Sequence, residues 1–419
     1  MTSVCATLRR AVAESRELDT PLALEFAVSM ALGVAWQNTE SDREGAVNDF
    51  ALALIGTLDP QKDDDQLVLA AIESLAPADA AGVAAALRGA RPAGRVLQPW
   101  WADVIGEVEL VDVMLVTDDY GDQTNHLMAF AYRRPDGELV GEHTLVLLAD
   151  FNLNLVKDMF GGTGHDALDF VRVEAESTGG VTLSQRADVD LDVVATRLAH
   201  FLDVTDRTMG EPFSDDPGSV RALVGSRLRT LPPPRAELLP DPQEEWPESM
   251  RSRLVSDFLR TKAVKQLVSG VSLLEDDAPP TVDTVRHIAE SLVDYAIGWN
   301  AGDPLRWSPI AVEIFLADWA PRKVSWLPED LPMVPEVLDA WVAFAGRRRG
   351  LSRTLVDQTQ EAVAEFAGDF VLAELSGPEA GSAKDIVSQM LADGVDLTDR
   401  GQMDAWVARY NASLGSPRA

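Results

Sequence analysis

The amino-acid sequence predicts a mixed fold, mostly α-helical, in which a central α+β unit with a small antiparallel sheet is flanked by N- and C-terminal helical domains. Three observations support this class. Short runs of β-branched and aliphatic residues separated by turn residues occur between residues 107 and 150, apolar residues recur at helical spacing elsewhere, and a proline-rich stretch precedes the last part of the chain. The chain has 419 residues, 46% of them hydrophobic, which is enough for about two to four domains.

Residues 1–95 are predicted to form an N-terminal helical bundle. Their apolar residues repeat at the i, i+3, i+4 and i+7 positions that place side chains on one helical face. Cys5 is the only cysteine of the chain, and we expect it in a mobile N-terminus, so neither a disulfide nor a cysteine-based zinc site is expected within one chain. The predicted helices lie around residues 21–35, 46–58, 67–75 and 79–87.

Residues 96–210 are predicted to form the central α+β domain. Strands are expected over residues 108–116, 126–133 and 142–149, and the polar cluster Asp118–Asp122 and the turn Pro135–Gly137 separate them. Three strands joined by such short loops indicate an antiparallel meander.

The rest of the central domain is predicted to change periodicity. Residues 153–160 have the spacing of a short helical turn ended by Gly161, and Phe170–Glu176 has the pattern of a further extended segment. A helix is expected over Asp190–Asp203, because its apolar residues share one face that can cover the sheet.

Residues 211–248 are predicted to be a linker and residues 249–419 a C-terminal helical domain. The linker is rich in proline, with Pro232–Pro234 at its centre, and such a segment is semi-rigid and extended. In the C-terminal domain, Ser308 followed by Pro309 is the pairing expected at the start of a helix. Helices are predicted around residues 254–267, 285–296, 309–319, 335–345 and 363–373, with two shorter ones beginning at Ser382 and Thr398.

The formal net charge of −32 limits the classes of partner. An acidic surface repels nucleic-acid phosphates and anionic lipids, so we expect a protein partner and neither nucleic acid nor membrane. No apolar run approaches the roughly 18 residues of a membrane span. Arg9 and Arg10 stand where a secretory signal would need its apolar run, so a cytoplasmic location is expected.

Five carboxylates at the ends of the predicted strands of the central domain and in the short helix after them are candidate metal ligands. In a meander the first and third strands run in the same direction, so the loop after the first and the residue after the third lie at one edge of the sheet. Carboxylate oxygens at that edge suit a hard cation such as Mg²⁺ or Mn²⁺, with His165 on a glycine-rich loop as a proton shuttle. His143 begins the third strand and is expected at the opposite edge. The alternative is that these side chains cap turns, which is the usual role of aspartate in loops. The candidates are Asp118, Asp119, Asp122, Asp150 and Asp158.

Two basic clusters stand out in the acidic chain and are candidate binding residues. Both are expected at helix C-termini, where cations compensate the helix dipole. The alternative is a binding site for an anion or an acidic partner, because these clusters are exceptions to the negative field. The residues are Arg322 and Lys323 in the first cluster and Arg347, Arg348 and Arg349 in the second.

Several stretches resemble a group of uncharacterised actinobacterial proteins of unknown function. They are Tyr120–Gln123, His143–Asp150 with Asn152 and Lys157–Asp158, Leu305–Pro309, Asp318–Lys323 and Gly394–Asp399. The resemblance implies no reaction, substrate or cofactor. Where that group has Asp-His-Asn-Leu-Gly-Gly, this chain continues from Asp150 as Phe151-Asn152-Leu153-Asn154, so the histidine and both glycines are absent.

The sequence carries no signature of a known catalytic class. Gly161–Gly164 is glycine-rich but matches neither a P-loop nor a dinucleotide-binding fingerprint, and there is no nucleophile elbow or zinc-protease motif. The leading hypothesis is therefore a soluble intracellular binding or scaffolding protein without catalysis and without a cofactor. The alternatives are a metal-assisted hydrolase that uses the five carboxylates, and an acidic mimic that occupies a basic partner surface.

Overall fold

In a computed structural model, the chain divides into two units, Met1–Pro240 and Asp241–Ala419. The structure describes residues 2–89, 99–162, 184–186, 189–208, 217–269, 281–327 and 330–376, and the single positions Val171, Gln402, Trp406 and Arg409. Within these residues no helix is both long enough and apolar enough to cross a bilayer.

The first unit begins with five helices: α1 (Thr2–Leu18), α2 (Leu22–Gln37), α3 (Arg43–Ile55), α4 (Asp63–Leu75) and α5 (Ala78–Gly89). The four predicted helices are confirmed as α2–α5. The expectation of a mobile N-terminus is wrong, because helix α1 covers it and buries Cys5, whose Sγ lies 3.2 Å from Thr57 Oγ1.

An antiparallel sheet follows, with strands β1 (Glu109–Thr117), β2 (Gln123–Arg133), β3 (Leu139–Asp150), β4 (Leu155–Gly162) and β5 (Ser184–Arg186). The strand order is β4-β3-β2-β1-β5, so the predicted meander of β1, β2 and β3 is confirmed. The mostly α-helical fold class with a small central antiparallel sheet is therefore also confirmed.

The predicted helical turn at residues 153–160 is wrong, because residues 155–162 form strand β4 along β3. Leu148 pairs with Asp158 and Ala149 pairs with Val156, so Lys157 is an extra residue in the ladder. Such a bulge reverses the alternation of side chains, which is why Val156 and Met159 are both buried although they are three residues apart. Buried residues three positions apart are also typical of a helix, which is why the sequence predicts a helical turn here. The predicted segment Phe170–Glu176 lies outside the described residues except for Val171.

Two further helices complete the first unit, α6 (Leu191–Arg207) and α7 (Gly218–Leu228). The predicted helix after Asp190 is confirmed as α6, which packs against β4 with Asp190 as its N-cap. The prediction of an extended linker over 211–248 is wrong for α7, because this helix buries Val220, Leu223 and Val224 in the core.

The predicted boundary between residues 95 and 96 does not separate two cores. Leu24 from α2, Met128 from β2 and Leu223 from α7 belong to one hydrophobic cluster. Helices α2 and α7 meet at Gly33 and Gly218, and a Cβ atom added to Gly33 would lie 2.1 Å from the Gly218 carbonyl oxygen. The two helices can approach this closely only because both positions lack a side chain.

The second unit is helical in its described part, as predicted. Its core is aromatic, and Tyr295 contacts the rings of Trp307, Phe315 and Trp319 at centroid distances of 5.1–5.6 Å. Ser308 caps the helix that begins at Pro309, as predicted, although the helix continues beyond Pro321 to Lys323 through a π-helical segment. The helices predicted from Ser382 and Thr398 lie outside the described residues. The elements are α8 (Pro242–Glu245), α9 (Glu248–Leu259), α10 (Lys262–Ser269), α11 (Val282–Trp299), α12 (Pro309–Glu313), the π-helical Ile314–Trp319, α13 (Ala320–Lys323), α14 (Met333–Arg349) and α15 (Arg353–Ser376).

Candidate functional site

The ends of β1 and β3 lie at one edge of the sheet, as the meander predicts. Gln123 pairs with Asp150 across strands β2 and β3, and the turn after β1 leads directly into Gln123. In that turn the Asp118 carboxylate accepts hydrogen bonds from the backbone N–H groups of Asp122 at 3.1 Å and Gln123 at 2.7 Å. Burial raises the pKa of Asp118 and the neighbouring charge of Asp122 raises it further, although these backbone donors oppose the shift.

Asp150, the last residue of β3, is held by several hydrogen-bond donors of the protein. It accepts hydrogen bonds from Gln123 Nε2 at 3.0 Å and from the backbone N–H groups of Asn152 at 2.9 Å and Leu153 at 3.1 Å, and Lys157 Nζ lies 4.0 Å away. Asp150 thus lies beside a cation and caps the turn after β3, which is the usual role of an aspartate in a loop. Both carboxylate oxygens therefore already accept hydrogen bonds from the protein.

The other candidate ligands are placed differently. Asp119 lies in the turn after β1, whereas Asp158 lies within β4 opposite Leu148 and accepts a hydrogen bond from the Met159 backbone at 2.8 Å. In the part of the chain that the structure describes, no group of three or more His, Cys, Asp or Glu side chains has the geometry to hold a metal ion. His165 lies outside that part. The metal site built from the five carboxylates stays a prediction.

His143 lies away from this edge, but the prediction that it begins the third strand is wrong, because β3 begins at Leu139 and His143 lies within it. Its side chain belongs to a buried polar network that the sequence does not predict. Glu25, Tyr132, His143 and Arg227 come from α2, β2, β3 and α7, and at most 1% of each is exposed. The Arg227 guanidinium contacts the Glu25 carboxylate and donates to the Tyr132 hydroxyl at 2.7 Å and to His143 Nε2 at 3.0 Å. Tyr132 in turn donates to Glu25 at 2.6 Å.

The hydrogen bonds of this network fix its protonation states. Because His143 Nε2 accepts from Arg227, the ring is neutral and its Nδ1 donates to the Gly141 carbonyl at 2.9 Å. Burial lowers the pKa of His143 to about 4, and the Arg227 charge contributes to the shift. Burial alone would lower the pKa of Arg227, but Glu25 and then Tyr132 more than offset it, so that the pKa lies above its usual value. The network is a charged pair with a neutral histidine.

The two predicted basic clusters of the second unit have different surroundings. Arg322 contacts the Asp318 carboxylate one helical turn earlier, and Lys323 Nζ lies 5.1 Å from the ring centroid of Trp299. Both residues lie in the last turn of α13, as predicted. This cluster is therefore compensated by a carboxylate and by an aromatic ring.

The second predicted cluster is extended by arginines from another helix. Arg347, Arg348 and Arg349 form the last turn of α14, which ends at Gly350 in the left-handed conformation with φ of 75°. Arg348 donates to Asp257 of α9 at 2.7 Å. The side-chain hydrogen bond from Arg348 is the main cause that lowers the pKa of Asp257, and the charges of Arg253 and Arg260 act in the same direction.

We use the name basic cluster for Arg253, Arg260, Arg347, Arg348 and Arg349. Its central carboxylate is Asp257, to which Arg260 Nη1 also donates at 3.1 Å. Within the described ranges, neither Arg253 nor Arg347 lies within 4.0 Å of a carboxylate, and both are exposed. The cluster thus presents excess positive charge on a chain whose net charge is −32.

Comparison of the chain with protein families, with curated proteins and with solved structures finds no match.

Proposed function

We propose that this protein is a binding protein without catalysis, and that its second unit holds an acidic segment of a partner protein on the basic cluster. The observation that carries the proposal is the convergence of arginines from two helices on the single carboxylate of Asp257. Like charges brought together in this way repel one another, and an acidic ligand relieves that repulsion.

The composition of the cluster favours a carboxylate-rich partner over other anions. Arginine presents a planar fork of donors that matches a carboxylate with two parallel hydrogen bonds. The Arg348 Cζ atom also lies 4.9 Å from the centroid of the Phe344 ring, which is within cation–π distance. The overall charge of the chain acts against nucleic acid, which would bring a long array of phosphates close to the rest of the acidic surface.

The test uses the full chain and a fluorescently labelled oligoglutamate peptide, with binding measured by anisotropy. We expect binding at about 50 mM salt that weakens steeply by about 500 mM, because salt screens exposed charges over a Debye length of roughly 10 Å at 0.1 M. The charge-reversal variant Arg253→Glu/Arg347→Glu should bind at least about tenfold more weakly, which corresponds to about 1.4 kcal/mol.

The matched control is Arg286→Glu/Arg322→Glu, which changes the net charge of the same unit equally. Both control arginines lie outside the basic cluster and face a carboxylate on their own helix or helical segment. Equal weakening by the two variants would mean that only the overall charge matters, and the proposal would then be wrong. Tighter binding of single-stranded DNA of the same charge than of the peptide would also overturn it.

A further inference from the structure

A cavity of about 280 Å³ lies in the first unit, independent of the basic cluster. It is formed by α2, α3, the end of α4 and the segment after it, α6 and α7. Its inner wall is apolar, with Leu32 and Trp36 from α2, Val47 from α3 and Leu75 from α4. At about 30 Å³ per water molecule, the space corresponds to on the order of nine waters, or a compact organic molecule of roughly a dozen non-hydrogen atoms.

The aromatic wall of the cavity is held in place by polar contacts. Trp36 Nε1 donates to Asp206 at 2.9 Å, and the Arg43 guanidinium lies 4.4 Å from the centroid of the Trp36 ring. Asp206 also accepts from Arg221 Nε at 2.9 Å and contacts a second nitrogen of that guanidinium. Asp206 and Arg221 therefore compensate each other, and neither is left to bind a charged ligand.

Two charged side chains of the lining, Glu44 and Arg229, are both exposed, and within the described part of the chain neither has an ion-pair partner. Among the residues with described positions, neither lies within 4.0 Å of an opposite charge, so they do not pair with each other. The Arg229 guanidinium contacts the backbone carbonyl of Ser74. Arg229 is exposed, but partial desolvation by the atoms around it lowers its pKa, and the neighbouring charges of Arg221 and Arg227 lower it further.

The surroundings of Glu44 are acidic. A neighbouring depression shares Glu44 and Pro77 with the cavity and is also lined by Asp42 and Asp79. The lining of the cavity thus carries one negative side chain, Glu44, and one positive side chain, Arg229, that do not pair with each other.

We propose that this cavity binds a small zwitterion, a free amino acid or a dipeptide with an apolar side chain. Its ammonium group would contact Glu44, its carboxylate would contact Arg229, and its side chain would pack against Leu32 and Trp36. A ligand with both charges is favoured because it offers a partner to each of these two side chains, whereas an anion or a cation offers a partner to only one of them. A few placed polar groups around an apolar wall are the usual composition of a small-molecule site.

The test is isothermal titration of the full chain with leucine and with the dipeptide Gly-Leu. Two blocked forms serve as charge controls, since N-acetyl-Gly-Leu lacks the ammonium group and Gly-Leu amide lacks the carboxylate. We expect a Kd below about 1 mM for at least one of the two zwitterions, and at least about tenfold weaker binding of both blocked forms. Binding of leucine alone would identify an amino acid as the ligand, and binding of Gly-Leu alone would identify a dipeptide.

Variants assign each charge to its partner. Glu44→Gln should weaken binding of the zwitterion at least about tenfold, and this variant should bind Gly-Leu and N-acetyl-Gly-Leu with similar affinity. Arg229→Gln should weaken binding of the zwitterion to the same extent, and it should bind Gly-Leu and Gly-Leu amide with similar affinity. Glu17→Gln and Arg207→Gln are the matched controls, because both residues are exposed and neither lines the cavity. They should leave binding unchanged.

Three results would overturn the proposal. The first is the absence of binding by either zwitterion at about 5 mM, well above the expected Kd. The second is equal binding of the blocked forms, and the third is equal weakening by the control variants. Circular dichroism of each variant shows that a loss of binding does not come from a loss of fold.

Discussion

Replacing Glu25 by glutamine is expected to destabilise the first unit strongly. Among the described residues, Glu25 is the one carboxylate that contacts Arg227, and both side chains are fully buried. Removing one partner of such a pair leaves the other charge buried without compensation, which costs about 3–5 kcal/mol. For a unit of this size, 1 kcal/mol shifts the melting temperature by about 2–4 °C, so a decrease of roughly 6–20 °C is expected.

The magnitude is checked by differential scanning calorimetry of the full chain. The two units have separate hydrophobic cores, so the transition of the second unit serves as an internal reference that should not shift. Arg207→Gln is the matched control, because it breaks an ion pair with Asp203 whose arginine side chain is 77% exposed. An exposed pair contributes about 0–1 kcal/mol, so the control should change the melting temperature by no more than a few degrees.

The double variant Glu25→Gln/Arg227→Met decides whether the pair acts as a buried ion pair. In the double variant neither buried charge is left without a partner, so it should be more stable than Glu25→Gln alone. The coupling energy between the two substitutions should be about 2 kcal/mol or more. If the two single effects add within about 0.5 kcal/mol, the charges act independently and the reasoning is refuted.

Three further predictions concern pH, helix packing and metal. Burial lowers the pKa of His126 and of His143 from 6.5 to about 4, so the unfolded chain takes up protons before the folded chain does as the pH falls. The contribution of each histidine to stability is complete above about pH 6.5, and the free energy of unfolding should decrease by roughly 3 kcal/mol per histidine by pH 4. In urea unfolding, the stability of His143→Gln should therefore depend less on pH than that of the wild type. Gly33→Ala should cost about 1–3 kcal/mol in the same assay, because its Cβ would meet the carbonyl of Gly218, and an unchanged midpoint would contradict this contact. Mn²⁺ should not raise the melting temperature, because Asp150 already accepts hydrogen bonds from the protein through both oxygens, whereas a rise that disappears in Asp150→Ala would support the metal site.

The parts of the fold that the sequence predicts are those specified by local pattern. Strands β1–β3 were predictable because turn residues separate their apolar runs, and the register follows from the short loops. Strand β4 was not predictable, because the bulge at Lys157 gives its buried residues a helical spacing. Helix α7 was missed because the prolines around it dominate the composition, although Val220, Leu223 and Val224 already have the spacing of a helical face.

The candidate sites also have a part that local sequence pattern predicts and a part that depends on the packing of distant elements. The arginines of residues 347–349 were predictable at a helix end, because a basic run followed by Gly350 is typical of one. Their association with Arg253 and Arg260 depends on the packing of α9 against the end of α14, which no local pattern specifies. No local pattern predicts the buried network either, because Glu25 and Arg227 are 202 positions apart in the sequence.

Helix α7 links the buried network to the proposed ligand cavity. Arg227 points into the core together with Leu223, whereas Arg221, Gly225 and Arg229 form a row at four-residue spacing along the cavity. Apolar contacts alone restrain the rotation of a helix weakly because they are not directional, whereas the contacts of Arg227 with three partners have fixed geometry. The buried pair therefore adds a directional restraint to the helix that carries Arg229, beside the Gly33–Gly218 contact and the apolar face of α7, although the net contribution of buried charges to stability is often small.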